Sequence, residues 1–118
     1  MTTSIVYLVK GRLDEKTRPE FISEIKEVVD KGLKSEGQST GVILHELDPD
    51  NMCATAQNMI TLYVYTPAGQ SIANKAEVIK LASELFDKRF GYRGEGQNVV
   101  IIKEHSNENY GVNGELRA

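Results

Sequence analysis

The apolar positions of the chain switch between two spacings. Ile5, Val6, Tyr7, Leu8 and Val9 form one β-branched and aromatic run, which predicts a strand over Ser4–Val9 that Gly11 ends. From Asp14–Thr17 to Leu33 the spacing becomes helical, with Phe21, Ile22, Ile25, Val28, Val29 and Leu33 on one stripe. Pro19 falls in the first turn of that helix, where a missing N–H matters least. Glu20, Glu24, Glu27 and Asp30 read as its wet face, and Gly32 and Gly37 bracket its exit. A second strand follows over Val42–Leu47, closed by the turn cluster Asp48-Pro49-Asp50-Asn51. The same order then returns. Ile60–Thr66 is predicted as a strand, stopped by Pro67-Ala68-Gly69. Ser71 or Asn74 caps a helix that turns Val78, Ile79, Ala82, Leu85 and Phe86 inward and closes at Phe90-Gly91. Val99–Glu104 is the fourth strand, and an Asn- and Gly-rich tail runs from Ser106 to Gly114.

The two halves align at an offset of 58 without a gap. Val6 meets Val64, Tyr7 meets Tyr65, Gly11 meets Gly69, Val42–Glu46 meets Val100–Glu104, and Asn51 meets Asn109. Several matches in one register, strand on strand and helix on helix, predict an internal β-α-β duplication, with pseudo-repeats 1–58 and 59–118 in one domain. Each half joins two parallel strands by a helical crossover. The expected fold class is therefore α+β, a two-layer sandwich: a tandem β-α-β repeat forming a four-stranded sheet with two helices on one face. The strands are apolar almost throughout, so the opposite face needs a cover as well, and a homo-oligomer is the simplest one.

Composition narrows the class. A chain of 118 residues, 40% hydrophobic, suits one domain that folds without a metal or disulfide. A net charge of −3 argues against a broad basic face for nucleic acid. One cysteine, Cys53, leaves no internal disulfide framework and suits a reducing compartment. No apolar run is long enough for a membrane span, and Met-Thr-Thr-Ser-Ile-Val-Tyr is unlike a signal peptide, so a cytoplasmic protein is expected.

Three stretches carry a resemblance. Gly11-Arg12-Leu13-Asp14-Glu15-Lys16, after a first strand, resembles the opening of 4-oxalocrotonate tautomerase and its relatives. Tyr110-Gly111-Val112-Asn113-Gly114-Glu115-Leu116 is similar to the aromatic-Gly-Ile-Gly-Gly-Glu-Leu segment that closes those subunits. His45-Glu46-Leu47-Asp48-Pro49-Asp50-Asn51 resembles a Glu-(apolar)-Pro-Pro-Glu-Asn-Trp stretch common among them. The resemblance implies a tautomerase-superfamily (macrophage migration inhibitory factor-like) fold, usually trimeric, that handles small keto or enol carboxylic acids without a cofactor.

Members that isomerise such acids use an N-terminal proline whose amine, in an apolar pocket, is a general base near neutral pH. The resemblance places that position on Thr2, and in the second half on Ile60. If Met1 is removed, Thr2 offers a primary amine; otherwise it simply begins a strand, where β-branched residues fit. Arg12 matches the arginine that grips the substrate carboxylate through paired hydrogen bonds. The family's second arginine falls on Gly41 or Val99, neither of which can replace it, and Arg93 or Lys10 are the nearest substitutes. Tyr110 matches the aromatic residue lining the pocket, and Met52 holds that place in the first half. His45 and His105 make no metal constellation, and Cys53 reads as a small buried hydrophobe. Gly91–Gly96 lacks the Lys-Ser/Thr of a phosphate loop. The expectation is thus a binder of small 2-oxo or 2-hydroxy acids with weak or absent isomerase activity, or a non-catalytic trimeric subunit of the same fold.

Overall fold

The computed structural model describes residues 1–35, 40–91 and 97–117. The first apolar run forms β1 (Thr2–Val9), in which every second side chain is buried: Thr2, Ser4, Val6 and Leu8. After α1 (Thr17–Leu33) comes β2 (Thr40–Leu47), then a 3-10 turn at Pro49–Asn51 and a single short turn of helix, α2 (Ala54–Gln57). The second half repeats the order with β3 (Met59–Pro67), α3 (Ile72–Phe90) and β4 (Gln97–His105). A small hairpin, β5 (Gly111–Val112) and β6 (Glu115–Leu116), folds over the two-residue Asn113-Gly114 turn.

The sheet has the order β2-β1-β3-β4, with β1 parallel to β2, β3 parallel to β4 and the two halves joined antiparallel through β1 and β3. Both parallel registers obey the sequence offset. Thr2 pairs with Thr40 and Ile60 with Asn98, each 58 residues on. Across the antiparallel junction Ile5 pairs with Tyr63, its own counterpart in the offset. A pseudo-twofold axis therefore passes between these two residues, and whatever stands at one end of β1 has its counterpart at the opposite end of β3.

Both long helices cover one face of the sheet. Phe21, Ile25 and Val29 of α1 and Val78, Ala82, Leu85 and Phe86 of α3 close over Val6, Leu8, Ile60, Leu62 and Val64. Ser71 is the cap of α3, its hydroxyl accepting the Asn74 N–H at 3.0 Å. At the exit of α1 the pattern misleads. Gly32 lies inside the helix, and a Cβ there would sit 2.5 Å from Val78 Cγ2 and 2.9 Å from the Val78 backbone. Its role is the close approach of α1 to α3, while the helix ends at Lys34, at φ 56°. Gly37 lies outside the described residues.

Asp30 also departs from the pattern: it is 7% exposed and belongs to the interior rather than to a wet face. Its carboxylate accepts from Lys26 Nζ at 2.7 Å, from Ser35 Oγ at 3.4 Å and from the Thr40 hydroxyl. Those bonds tie the end of α1 to the start of β2. Burial opposes ionisation of Asp30, but these donors outweigh it and hold its pKa below the ordinary value.

Among the described residues no helix of the length of α1 or α3 covers the other face of the sheet. Ile43 is 52% and Ile101 36% exposed there. Between them runs an aromatic band, with Tyr7 against His45 at 5.2 Å, Tyr7 edge-on to Tyr63 at 5.7 Å, and Tyr63 beside Tyr65 at 6.3 Å between ring centroids. No described helix is long and apolar enough to cross a membrane.

Candidate functional site

Gly11 turns the chain at the end of β1 with φ 99°, which a side chain would strain, and its counterpart Gly69 does the same at φ 112°. The turn puts Arg12 against the last residue of α3, its Cζ 5.6 Å from the centre of the Phe90 ring. A cation over an aromatic face is both attracted and oriented. Here an open cleft of about 490 Å³ is bordered by Val9, Lys10, Arg12, Gln57, Asn58, Arg89 and Phe90. Arg89 is tied back to α1, donating from Nε to Glu24 at 2.7 Å and from a terminal nitrogen to Glu20 at 3.4 Å. The bond to Glu24 is the chief reason its pKa is raised. Among the described residues no ion pair involves Lys10. Its backbone N–H donates to Leu47 O at 2.9 Å, which fixes the chain as it leaves the sheet.

Sequence spacing alone could not put Lys10 in a cavity; the structure places it beside Arg12. Gln57 and Asn58 carry no sequence signal at all, since they close the short helical turn α2 between strands. Arg93 and most of the Gly91–Gly96 stretch lie outside the described residues.

Thr2 stands at the far end of the same strand. Seven strand steps of roughly 3.3 Å put Val9, at the Arg12 end, more than twenty ångströms away. Its side chain points into the helix-covered core, and its hydroxyl lies 3.0 Å from that of Thr66. Tyr110 belongs to this end. Its hydroxyl donates to the Met1 carbonyl at 3.4 Å, and its ring packs on His105 at 4.6 Å. Nδ1 of His105 is buried with no hydrogen-bond partner among the described residues. The structure thus brings Tyr110 to the Thr2 end and leaves Arg12 at the other.

The pseudo-twofold axis makes the separation systematic. Beside Thr2, at the end of β3, the counterpart of Arg12 is Gln70, and the second-arginine position is Gly41, paired with Thr3. Beside Arg12, the counterpart of Thr2 is Ile60, a buried core residue with no free amine, and the second-arginine position is Val99, paired with Thr61. At one end the amine position stands with Gln70 in the place of the guanidinium. The other has a guanidinium without an amine position.

A second cavity, about 570 Å³, opens on the uncovered sheet face and is bordered by Tyr7, Tyr63, Tyr65, Met52, Met59 and Lys103 among others. Met52, expected at the first-half counterpart of Tyr110, lines this cavity and not the basic one. Cys53 borders it too and is exposed, against the expectation of a buried thiol. It starts α2, whose N-terminal turn has no core to enter. Among the described residues no three His, Cys, Asp or Glu side chains come together as metal ligands.

This four-stranded mixed sheet of two β-α-β units, with both helices on one face, matches the fold of solved tautomerases. Particular solved structures match it over most of their length. A fused 4-OT in its asymmetric trimer has TM-score 0.85 at 21% identity, with 98% of this chain and 95% of that chain covered. A member of the cis-3-chloroacrylic acid dehalogenase family gives 0.78 at 15% identity over 98% of this chain and 83% of that chain. A malonate semialdehyde decarboxylase inhibited by 3-bromopropiolate gives 0.73 at 15% identity over 92% and 87%. At such identities the likeness is one of fold. No family model matches the chain, and no curated protein matches it.

Proposed function

We propose that this chain is a tautomerase-superfamily protein that binds small 2-oxo or 2-hydroxy carboxylic acids through Arg12, without a cofactor, and isomerises them weakly or not at all. The observation that carries this is the separation of Arg12 from Thr2 along β1, with Gln70 and Ile60 at the vacant counterparts. A ketonisation needs the acid held and a base within hydrogen-bond reach of the same carbon. At neither end do the repeat-related positions pair an arginine with the amine position. Fused 4-OT, which shares the fold, is a trimer in the matched structure; a trimer is the assembly we propose here, with the two pseudo-repeats 1–58 and 59–118 as one cytoplasmic domain. The uncovered face with Ile43 and Ile101 supports the alternative role, a non-catalytic trimeric binding or assembly subunit.

Titration calorimetry with pyruvate, on the wild type and on Arg12→Ala, tests the binding step. Charge-assisted hydrogen bonds to a carboxylate are worth about 1.5–3 kcal/mol, so binding should weaken at least ~10-fold. Equal affinity in both proteins would remove Arg12 from the account. Turnover of phenylpyruvate and 2-hydroxymuconate, alongside intact mass to show whether Met1 is present, tests the catalytic step. Strong turnover by protein that retains Met1 would exclude the Thr2 amine as base and refute the expectation of weak activity together.

A further inference from the structure

We propose that the Arg12 cavity discriminates by polarity, accepting compact, hydrated oxo or hydroxy acids and rejecting those with an aryl group, and that Lys10 and Asn58 set this preference. The inference rests on the reading of Arg12 as the carboxylate site. Of the seven side chains lining this cavity, five are charged or amide-bearing, and Val9 and Phe90 are the apolar ones. The Phe90 ring already has partners: the Arg12 guanidinium lies over one face at 5.6 Å, and Phe21 meets it in a T-shaped contact at 5.4 Å. An aryl group entering here would strip water from the Lys10 ammonium and the Asn58 amide and return no hydrogen bond to either. A short acid keeps those groups wet, or bonds them directly with its oxo or hydroxy oxygen. At about 490 Å³ the cavity has room for either ligand, so the discrimination comes from polarity and not from size.

The tyrosines that would welcome an aryl group border the other cavity, across α2. Ala56 borders the aromatic cavity and Gln57 the basic one. Gln57 holds that wall in place, its side-chain amide donating to Pro49 O and Met52 O, both at 3.2 Å. An acid anchored at Arg12 therefore meets a fixed polar partition where it would need an aromatic surface.

Pyruvate and phenylpyruvate make a matched pair, since the second is the first with one phenyl group added. Calorimetric titrations of both are run on the wild type, Lys10→Leu, Asn58→Leu, the conservative Lys10→Arg and Arg12→Ala, each checked for folding by circular dichroism. The wild type and Lys10→Arg should bind pyruvate at least tenfold more tightly than phenylpyruvate, and the two leucine variants should lose most of that ratio. Equal or tighter binding of phenylpyruvate by the wild type overturns the proposal, as does an unchanged ratio in both leucine variants. If both acids bind and Arg12→Ala weakens both, but without a preference between them, the carboxylate reading stands and only the selectivity falls. If neither acid binds, or Arg12→Ala changes nothing, the carboxylate reading fails and takes the selectivity with it.

Discussion

Arg12 is legible in sequence because it follows a glycine that must turn, and Gly11 does turn, at φ 99°. What no spacing rule could supply is its distance from Thr2, because that depends on how the second half docks on the first. Asp30 shows the same limit from another side. At helical spacing an acid on the polar stripe looks like solvent-facing charge, and only Thr40, ten residues on, makes it an interior anchor. Replacing Asp30 with Ala strands the Thr40 and Ser35 hydroxyls, and urea unfolding should register a loss of about 1–3 kcal/mol. Asp30→Asn should lose less, since its amide oxygen still accepts. The pH dependence has a definite sign. A carboxylate with a lowered folded-state pKa stabilises the fold above its unfolded pKa, and the contribution vanishes as pH falls through the folded value. Asp30 is so lowered, and so is Glu104, chiefly by the Lys75 ammonium and then by the Gly69 N–H. Thermal stability should therefore fall as the pH drops below about 4, the ordinary carboxylate range. Asp30→Asn should lose part of that acid sensitivity, with the Glu104 share retained; an unaltered profile would contradict the assignment to Asp30.

Strands and helices were nearly all readable, since each apolar run had a clear period and a stop residue. The 3.6-residue stripes named the core sides of α1 and α3, and the structure buries Phe21, Ile25, Val29, Val78, Ala82, Leu85 and Phe86 as those stripes imply, while Ile79, expected on the same stripe, is 44% exposed. Gly32 was misread because a glycine near a helix end fits a stop as well as it fits a contact. The two roles make opposite predictions. As a stop, Gly32→Ala would be nearly neutral or slightly stabilising, through better helix propensity. As the point where α1 meets Val78 it should destabilise by about 1–3 kcal/mol, because backbone as well as side-chain atoms block the new methyl. Denaturant midpoints of the two proteins decide between them. The helix starts are pinned in parallel fashion: Glu46 pairs with Arg18 of α1, and Glu104, its counterpart, pairs with Lys75 of α3. A matching glutamate at the offset was visible in sequence, but its helix partners were not, since Arg18 and Lys75 are one residue out of register with the repeat.

At the scale of the molecule, continuous apolar strands announced two faces that each want cover, and α1 and α3 cover one. Ile43 and Ile101, on the two edge strands, remain on the open face. If that face closes against further copies, the double variant Ile43→Lys, Ile101→Lys should sediment as a smaller species than the wild type with its circular dichroism retained. An unchanged sedimentation coefficient would place the interface elsewhere. The pseudo-twofold axis is also what distributes the chemistry, setting Thr2 beside Gln70 and Arg12 beside Ile60. The most direct test of that account restores both functions at one end. Turnover of 2-hydroxymuconate is measured for Thr2→Pro, Gln70→Arg and the double variant, each shown by intact mass to have lost Met1. The account predicts little activity in either single variant and a gain of at least tenfold over both in the double. Thr2→Pro alone matching the double variant would contradict it, because the missing guanidinium would then not matter.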